Sequence, residues 1–340
     1  MPHLVVAPDK FRGTASAAEI CATVAAAALR AGWTADAVPM SDGGEGLLEV
    51  VGGEVRTTEV TGPLGDSVTA AWHLVQTGEA AGPTAVIEMA TAAGRALVPH
   101  PNDDDPVRAS TTGVGQLLLA AKEAGARAII VGCGGSATTD GGRGAVQVVG
   151  TPSALAGIEL TVACDVTTAF GEAARVFGPQ KGATPEQVEF LTQRLVKVAK
   201  RYRRQFGVDV TGLDGAGAAG GLAGGLAALG ARLAPGFDLV SALNHLPERI
   251  DGADLVVTGE GHLDPPSFAG KVPGGILRLV AGRCPVLCVV GDADPEVLDS
   301  LPQGIEVVSL TALAGSTRAH GETLALLDQF ISEALPRFCP

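Results

Sequence analysis

The sequence predicts an α/β protein with two domains: a flavodoxin-like domain built on a parallel sheet, and an inserted domain built on a mixed sheet. A length of 340 residues favours two domains over one. Both ends of the chain alternate strand and helix patterns, which is typical of a parallel sheet. The middle of the chain instead shows several strand patterns in close succession, which indicates a mixed sheet.

The first βαβ unit starts at the N-terminus. Residues 3–7 form a short apolar run, and Ser16 with Glu19 three positions later reads as a capping box. The helix that they open is expected to end near Gly32, and residues 35–38 give a second strand. Strand, helix and strand in this order predict two parallel neighbours in one sheet.

The inserted segment has a different rhythm. Its periodicity predicts helices and strands in the order αβββαβ, followed by one more strand and a long helix. The expected helices cover 43–51, 112–124 and 185–206, and the expected strands cover 55–60, 67–76, 85–89, 128–131 and 160–164.

Alternation returns near residue 254. The pattern predicts strands over 255–258, 286–290 and 307–310, with helices over 274–281 and 322–335. With the two N-terminal strands, these make five strands of a flavodoxin-like sheet. The expected domains are therefore 1–41 plus 246–340, and 42–245 as the insertion. Two connections between domains predict a hinge and an active site in the interdomain cleft.

Composition limits the partners and the compartment. The net charge is −13, so a broad nucleic-acid footprint would work against the global field, and none is expected. One basic group is interpreted as a solvated face of the long helix: Lys197, Lys200, Arg201, Arg203 and Arg204.

The cysteines and the apolar runs bear on the compartment. Six scattered cysteines without paired spacing suggest a reducing compartment. No uncharged apolar run approaches the ~20 residues that span a bilayer, and the first ten residues lack a signal-peptide pattern. A cytoplasmic protein with no membrane partner is expected, and the oligomeric state stays open, a homodimer included.

The segment GGSATTDGG, residues 134–142, follows a predicted strand and suits a phosphate-binding loop. Its glycines allow backbone N–H groups to turn toward an anion, and Ser136 and Thr138 add hydroxyl donors. Asp140 could hold Mg²⁺, accept a proton, or cap the loop. An ordinary glycine-rich turn is the structural alternative.

Two further loops lie near the N-terminus. The first follows the first strand, where open α/β sheets bind ligands, and its Lys10 and Arg12 could hold a carboxylate or phosphate. The second, residues 41–46, contains Asp42 and Glu45. These two acids could serve catalysis or act as the N-cap and N3 residues of the expected helix.

Later loops add more charged residues. Asp165 follows a predicted strand, and Lys181 lies in a turn before the long helix, in a position to meet a phosphate. Glu260, Asp264 and Lys271 lie near one strand end and suit metal and phosphate handling.

Residues 215–221 match G-x-G-x-x-G, with Gly217 and Gly220 in the pattern and Gly221 after it. No apolar strand precedes them, so a dinucleotide fingerprint is weakly supported, whereas anion contacts at the helix start stay open. A P-loop pattern is missing from the sequence.

Eight segments in this order resemble the bacterial glycerate kinase family: APDKFRG, SDGGEG, VTGPLGD, IEMATAAG, GGSATTDGG, FGPQKGA, GAGAAGG and TGEG. The resemblance covers residue 4 to about residue 291. It implies a two-domain fold, and ATP-dependent phosphorylation of D-glycerate with Mg²⁺, usually to 2-phosphoglycerate.

The chemistry of phosphoryl transfer assigns candidate roles to these residues. The candidates for catalysis are Lys10, Asp42 and Asp140, with either acid as the base. The candidates for substrate binding are Arg12, Glu45, Ser136 and Thr138. The candidates for phosphate or nucleotide binding are Lys181, Gly217, Gly220, Gly221 and Lys271, and those for metal binding are Asp165, Glu260 and Asp264.

Two loops depart from the family pattern. Residues 165–171 lack the family's Asn-Pro pair, and residues 262–267 carry proline where the family has glutamine. Because both lie at expected ligand loops, two alternatives stay open: a kinase for another short hydroxy acid, and a catalytically impaired homologue that binds a small molecule. A dinucleotide oxidoreductase based on residues 215–220 is a third, weaker alternative.

Overall fold

The structure, a computed structural model, describes residues 1–77, 82–98, 102 and 105–338. The chain divides into two compact units. Unit 1 comprises residues 1–42 and 237–340, and unit 2 comprises residues 43–236. In the described part of the chain, no helix combines the length and the apolar character needed to cross a membrane.

The regular elements are numbered in chain order. The strands are β1 His3–Val6, β2 Thr34–Ala37, β3 Glu54–Thr61, β4 Ser67–Gln76, β5 Pro83–Glu88, β6 Ala128–Gly132, β7 Glu159–Ala163, β8 Arg232–Ala234, β9 Leu255–Thr258, β10 His262–Leu263, β11 Val286–Val290, β12 Asp292–Ala293 and β13 Ile305–Ser309. The helices are α1 Ala17–Arg30, α2 Leu47–Val50, α3 Ala90–Ala93, α4 Asp105–Arg108, α5 Thr112–Glu123, α6 Arg143–Val149, α7 Ala173–Phe177, α8 Pro185–Phe206, α9 Ala218–Ala228, α10 Gly236–Leu243, α11 Leu246–Ile250, α12 Val272–Val280, α13 Pro295–Leu298, α14 Leu310–Ala314, α15 Ser316–Gly321 and α16 Thr323–Ala334.

Unit 1 contains a parallel sheet in the order β2-β1-β9-β11-β13. Counted along this sheet alone, the order is 2-1-3-4-5, the flavodoxin-like arrangement that the sequence predicts. β9 and β11 are buried along their whole length, as expected for central strands covered on both faces. The strand order reverses between β1 and β9, so the loops after these two strands lie at the switch point where such sheets bind ligands.

Unit 2 contains a mixed sheet in the order β3-β4-β5-β6-β7-β8. β3, β4 and β5 are antiparallel neighbours, and β5 to β8 run parallel. The predicted mixed-sheet α/β architecture is therefore confirmed. β8 was not predicted, because three residues following a glycine-rich helix carry too little pattern.

The helix expected over 43–51 is wrong over its first half. Gly43 and Gly46 have φ of +83° and +92°, in the left-handed region, and only Leu47–Val50 is helical. The N-cap of α2 is Gly46, with no side-chain capping bond. The interpretation of Asp42 and Glu45 as N-cap and N3 residues is therefore wrong as well.

The chain returns to unit 1 earlier than expected. The sequence placed the return at residue 246, whereas residues 237–245 lie with unit 1. Contacts within unit 1 explain this position. The Phe237 ring occupies the space where Gly275 lacks a side chain, Arg278 pairs with Asp238, and the Asn244 amide donates to the Pro39 carbonyl. The cleft location of the active site stays a prediction.

Candidate active site

The loops after β1 and β9 in unit 1 are held together by backbone hydrogen bonds. The Asp9 N–H donates to the Gly259 carbonyl over 2.8 Å, and the Thr258 hydroxyl donates to the Ala7 carbonyl over 2.8 Å. Residue 259 must be glycine, since a Cβ there would lie 2.0 Å from the Val289 carbonyl oxygen. Polar residues of both loops are thereby fixed at the switch point of the sheet.

Three acids of unit 1 influence one another there: Asp9, Asp42 and Glu260. The pKa of Asp9 is raised to about 7, first by burial and then by the negative charges of Asp42 and Glu260. The Lys10 N–H, which donates to Asp9 Oδ1 over 2.6 Å, offsets this effect only in part. A carboxyl group with a pKa near neutrality can exchange a proton with a substrate at physiological pH.

Glu260 is only 7% exposed, and its Oε1 has no hydrogen-bond partner among the described residues. Burial raises the pKa of Glu260 to about 7, although Ser267 and Lys271 act in the opposite direction. A buried oxygen without a partner is costly, so the folded chain retains it at an energetic penalty. This oxygen is therefore suited to contact a bound ligand, which would supply the missing partner.

Asp264 and Lys271 form an ion pair, with Lys271 Nζ 3.0 Å from Asp264 Oδ1. The same carboxylate caps the short turn at 265–268 through the Ser267 backbone and hydroxyl. Both side chains are therefore already engaged with each other, and their position beside Glu260 suits a supporting role.

The other two unit 1 candidates lie in the loop after β1. Lys10 is partly buried next to Asp9, and Arg12 is exposed. A Cβ added to Gly261 would lie only 3.0 Å from the backbone nitrogen of Arg12. The two cations thus share the loop after β1 with Asp9, and the backbone of this loop packs against Gly261 in the loop after β9.

In unit 2, residues 134–142 form an irregular loop between β6 and α6. Gly135, Gly141 and Gly142 have positive φ, as a turning glycine-rich loop requires. The Glu45 backbone packs against its start, since a Cβ on Gly134 would lie 2.1 Å from the Glu45 nitrogen. Helix α6, which follows this loop directly, was not predicted.

Asp140 is buried and bonded through both oxygens. Its Oδ2 accepts from the Thr111 N–H and hydroxyl and from the Gly144 N–H, and its Oδ1 accepts from the Gly142 N–H, all at 2.9 to 3.0 Å. These bonds tie the loop to the starts of α5 and α6. They favour the alternative in which Asp140 caps the loop.

Lys181 reaches this loop. Its Nζ donates to the Thr138 carbonyl and lies 3.4 Å from the Ser136 hydroxyl, so the structure brings these predicted site residues together. Burial, with a smaller contribution from the charge of Arg95, lowers the pKa of Lys181 to about 8, and the charge of Asp140 opposes the shift. Ser136 and Thr138 are themselves buried, and both contact the Lys181 ammonium group.

The predicted nucleotide glycines have a packing role. A Cβ on Gly220 would lie 2.0 Å from the Thr138 carbonyl oxygen, and one on Gly217 would lie 2.5 Å from the Ala169 carbonyl. Gly221 has φ of +88° and packs against Gly141 and Phe170. All three are buried, and the segment follows a short 3₁₀ turn rather than a strand. The dinucleotide interpretation therefore has no structural support.

The predicted metal residues are divided between the two units. Asp165 belongs to unit 2, where its Oδ1 accepts from the Gly236 N–H over 2.9 Å, whereas Glu260 and Asp264 belong to unit 1. Across the residues that the structure describes, no group of three or more His, Cys, Asp or Glu side chains is arranged to hold a metal ion. A metal site of three protein ligands is thus not preformed in that part of the chain.

Two residues of these clusters were missed as site residues. Asp9 is absent from the predicted site residues, although its place directly after the first strand is a usable signal. Arg95 follows the segment IEMATAAG, and its N–H donates to the Gly135 carbonyl over 2.8 Å. Nothing in the local sequence shows that Arg95 lies close enough to Lys181 to lower its pKa.

The fold is thus that of a two-unit α/β protein, with acids at the sheet switch point of unit 1 and a lysine that contacts a glycine-rich loop in unit 2. A profile described as "Glycerate kinase family" matches residues 4–154 and 149–334. Glycerate 2-kinase of Escherichia coli K12 is 37% identical over 349 residues, covering 90% of this chain and 89% of that protein. Glycerate kinase of Haemophilus influenzae is 38% identical, covering 84% and 85%.

The comparison with solved structures agrees. A crystal structure described as a candidate glycerate kinase 2 from Salmonella typhimurium LT2 matches with a TM-score of 0.80 and 33% identity, covering 99% of both chains. The chain belongs to the glycerate kinase family. It is a kinase, as the resemblance implied.

Proposed function

We propose that this kinase transfers the γ-phosphoryl group of ATP to a hydroxyl of D-glycerate and yields 2-phosphoglycerate. The acidic group at the switch point of unit 1 carries the proposal, because phosphoryl transfer requires a proton acceptor and carboxylates near the phosphates. The name of the Escherichia coli relative supports the choice of the 2-position.

Asp9 is the proposed proton acceptor for the substrate hydroxyl. Its pKa of about 7 lies near the working pH, where a general base is most effective. Asp42, proposed from the sequence as a base, instead acts on Asp9, since its charge contributes to that raised pKa. Asp42 is thus a positioning residue whose effect is electrostatic.

The acids also fit Mg²⁺ held in part by substrate phosphates. Mg²⁺ prefers oxygen ligands and is usually bound through one or two carboxylates plus phosphates and water, so a three-ligand protein cage is not needed. The unpartnered Oε1 of Glu260 is the proposed ligand, and Asp264 with Lys271 holds the loop around it. When bound, the ion would neutralise charge on the transferring phosphoryl group.

The cations divide into two groups. Lys10 and Arg12 lie beside Asp9 in sequence, and we propose that the Arg12 guanidinium binds the glycerate carboxylate, which its planar fork matches. In unit 2, Lys181 is the proposed phosphate contact, with Arg95 as a second positive charge near it. Ser136 and Thr138 hold Lys181 rather than contact the substrate directly.

The described cysteines support the proposed reducing, cytoplasmic compartment. Cys21, Cys133, Cys164, Cys284 and Cys288 are free thiols. Cys339 lies outside the described residues.

ADP release with D-glycerate, ATP and Mg²⁺ tests the proposal. Turnover that falls at least a hundredfold in Asp9→Asn, but not in Glu49→Gln, supports it, since Glu49 is an exposed acid that is not part of the acidic group. Faster turnover with another short hydroxy acid would favour that substrate instead. Binding of ATP or glycerate without any turnover would favour the impaired homologue.

A further inference from the structure

Unit 2 contains a cavity of about 180 Å³ between helices α6 and α8, which is open to solvent and whose arginine and glutamine side chains are exposed. Arg143, Gln147 and Val146 line it from α6, and Arg201, Tyr202 and Val198 line it from α8. Its volume is smaller than that of a typical site for drug-sized ligands, which suits a small ligand. None of the residues assigned to phosphoryl transfer lines it.

The lining is basic and polar. Two guanidinium groups and the amides of Gln147 and Gln205 face the cavity, and its lining includes no acid. Among the described residues, no carboxylate lies within ion-pair distance of Arg143 or Arg201. By contrast, Arg203 on the same helix pairs with Asp209. The chain has a net charge of −13, yet two arginines share this cavity without an acid. Their positive charges can therefore attract an external anion.

The cavity is joined to the loop that holds Lys181. The Tyr202 hydroxyl donates to the Gly141 carbonyl over 2.9 Å, and Arg143 begins the helix that directly follows this loop. Both arginines lie close enough to Tyr202 for their charges to influence its phenol. An anion bound between the two arginines would therefore lie close to Tyr202, which bonds to Gly141.

We propose that this cavity is a binding site for a small phosphate-bearing anion, separate from the site of phosphoryl transfer. Arginine forks bind phosphate oxygens in pairs, glutamine amides add donors, and the apolar valines limit the occupant's size.

Inorganic phosphate is the probe that tests this site. Its affinity is measured by calorimetric titration at constant ionic strength, in Lys181→Met protein so that the proposed catalytic phosphate contact does not contribute. We expect one phosphate to bind, and the double substitution Arg143→Gln with Arg201→Gln to weaken it at least tenfold. Arg204→Gln, on the same helix but outside the lining, should leave the affinity unchanged.

Gln147→Glu provides an independent check, because it adds a negative charge at an exposed lining position without removing an arginine. It should also weaken phosphate binding. Unchanged affinity in Gln147→Glu and in the folded double variant would overturn the proposal, as would equal losses in Arg204→Gln. Neither result depends on turnover, so failure of this site is distinguishable from failure of the proposed kinase reaction.

Discussion

Asp9 and Glu260 stand after two neighbouring parallel strands, β1 and β9, and both carboxyl groups have a pKa of about 7. Burial is the main cause of each shift, and the negative charge of Asp42 contributes to both. The two acids are thus poised between their neutral and ionised forms at physiological pH. Their different surroundings suggest different tasks, since Asp9 is partly exposed and Glu260 has a buried oxygen without a partner.

The pH dependence of turnover should report on Asp9. Because the ionised form accepts the proton, kcat is expected to rise as pH increases through about 7. Asp42→Asn removes a charge that raises the pKa of Asp9. The acidic limb of the pH profile of this variant should therefore move to lower pH. The pH profile of kcat with saturating substrates measures this, with Glu49→Gln as the matched acid. An unmoved limb in Asp42→Asn would contradict the role of Asp42.

Glu260→Gln should stabilise the protein in the absence of ligand. The pKa of Glu260 is about 7 in the folded chain, above its ordinary value of 4.5, so the unfolded chain ionises first as pH rises. The free energy of unfolding of the wild type therefore decreases between about pH 4.5 and 7, and the variant lacks this decrease. Its advantage should reach up to about 3 kcal/mol above pH 7 and vanish below about pH 4.5. Denaturant unfolding at pH 4.5 and 8 measures it, and Glu49→Gln should show no such pH dependence.

Lys181→Met should lower kcat/KM for ATP by roughly a hundredfold, through loss of a charged phosphate contact. In the wild type, kcat/KM should fall above pH 8 as Lys181 loses its proton, since its pKa is lowered to about 8. This basic limb should be missing from the variant. Lys197→Met is the matched control, because Lys197 is exposed on α8. A basic limb that persists in Lys181→Met would assign it to another group.

Asp140→Ala should act mainly on stability. The substitution leaves the buried N–H groups of Thr111, Gly142 and Gly144 without their acceptor, at a cost of about 2–4 kcal/mol. Thermal unfolding compared with Glu123→Ala, an exposed acid of the same unit, isolates this effect. If Asp140→Ala kept wild-type stability while kcat collapsed, Asp140 would return as a candidate base.

Gly220→Ala should destabilise the protein by at least about 2 kcal/mol, because the residue has φ of +66° and an added Cβ meets the Thr138 carbonyl oxygen at 2.0 Å. Gly212→Ala is the control, since nothing lies within 4 Å of its Cβ position. Thermal unfolding measures both. Wild-type stability combined with lost ATP binding in Gly220→Ala would favour direct nucleotide contact over packing.

The sequence was most informative where local and tertiary signals agreed. Helix α8 spans the predicted residues because Thr184 and Gln187 form a capping box at its start and Gly207 ends it in the left-handed conformation. The alternation of strands and helices at both ends of the chain predicted the five-stranded parallel sheet of unit 1. Both predictions depend on rules that act over short stretches of chain.

The sequence was least informative where distant segments meet. The bonds from Asp140 to Thr111 span 29 positions, and Lys181 meets Thr138 across 43. No local pattern distinguishes such a structural carboxylate from a catalytic one. The same limit applies to residues 215–221, whose glycines match a nucleotide motif and also pack closely against neighbouring backbone.

The most direct test of the central claim is a ³¹P-detected product assay with ATP, Mg²⁺ and a panel of short hydroxy acids. We predict that D-glycerate is consumed fastest, that the product carries phosphate on its 2-hydroxyl, and that Asp9→Asn abolishes the signal while Glu49→Gln retains it. Phosphate on the 3-hydroxyl, a preferred acceptor other than glycerate, or full activity in Asp9→Asn would contradict the proposed reaction or the role assigned to Asp9.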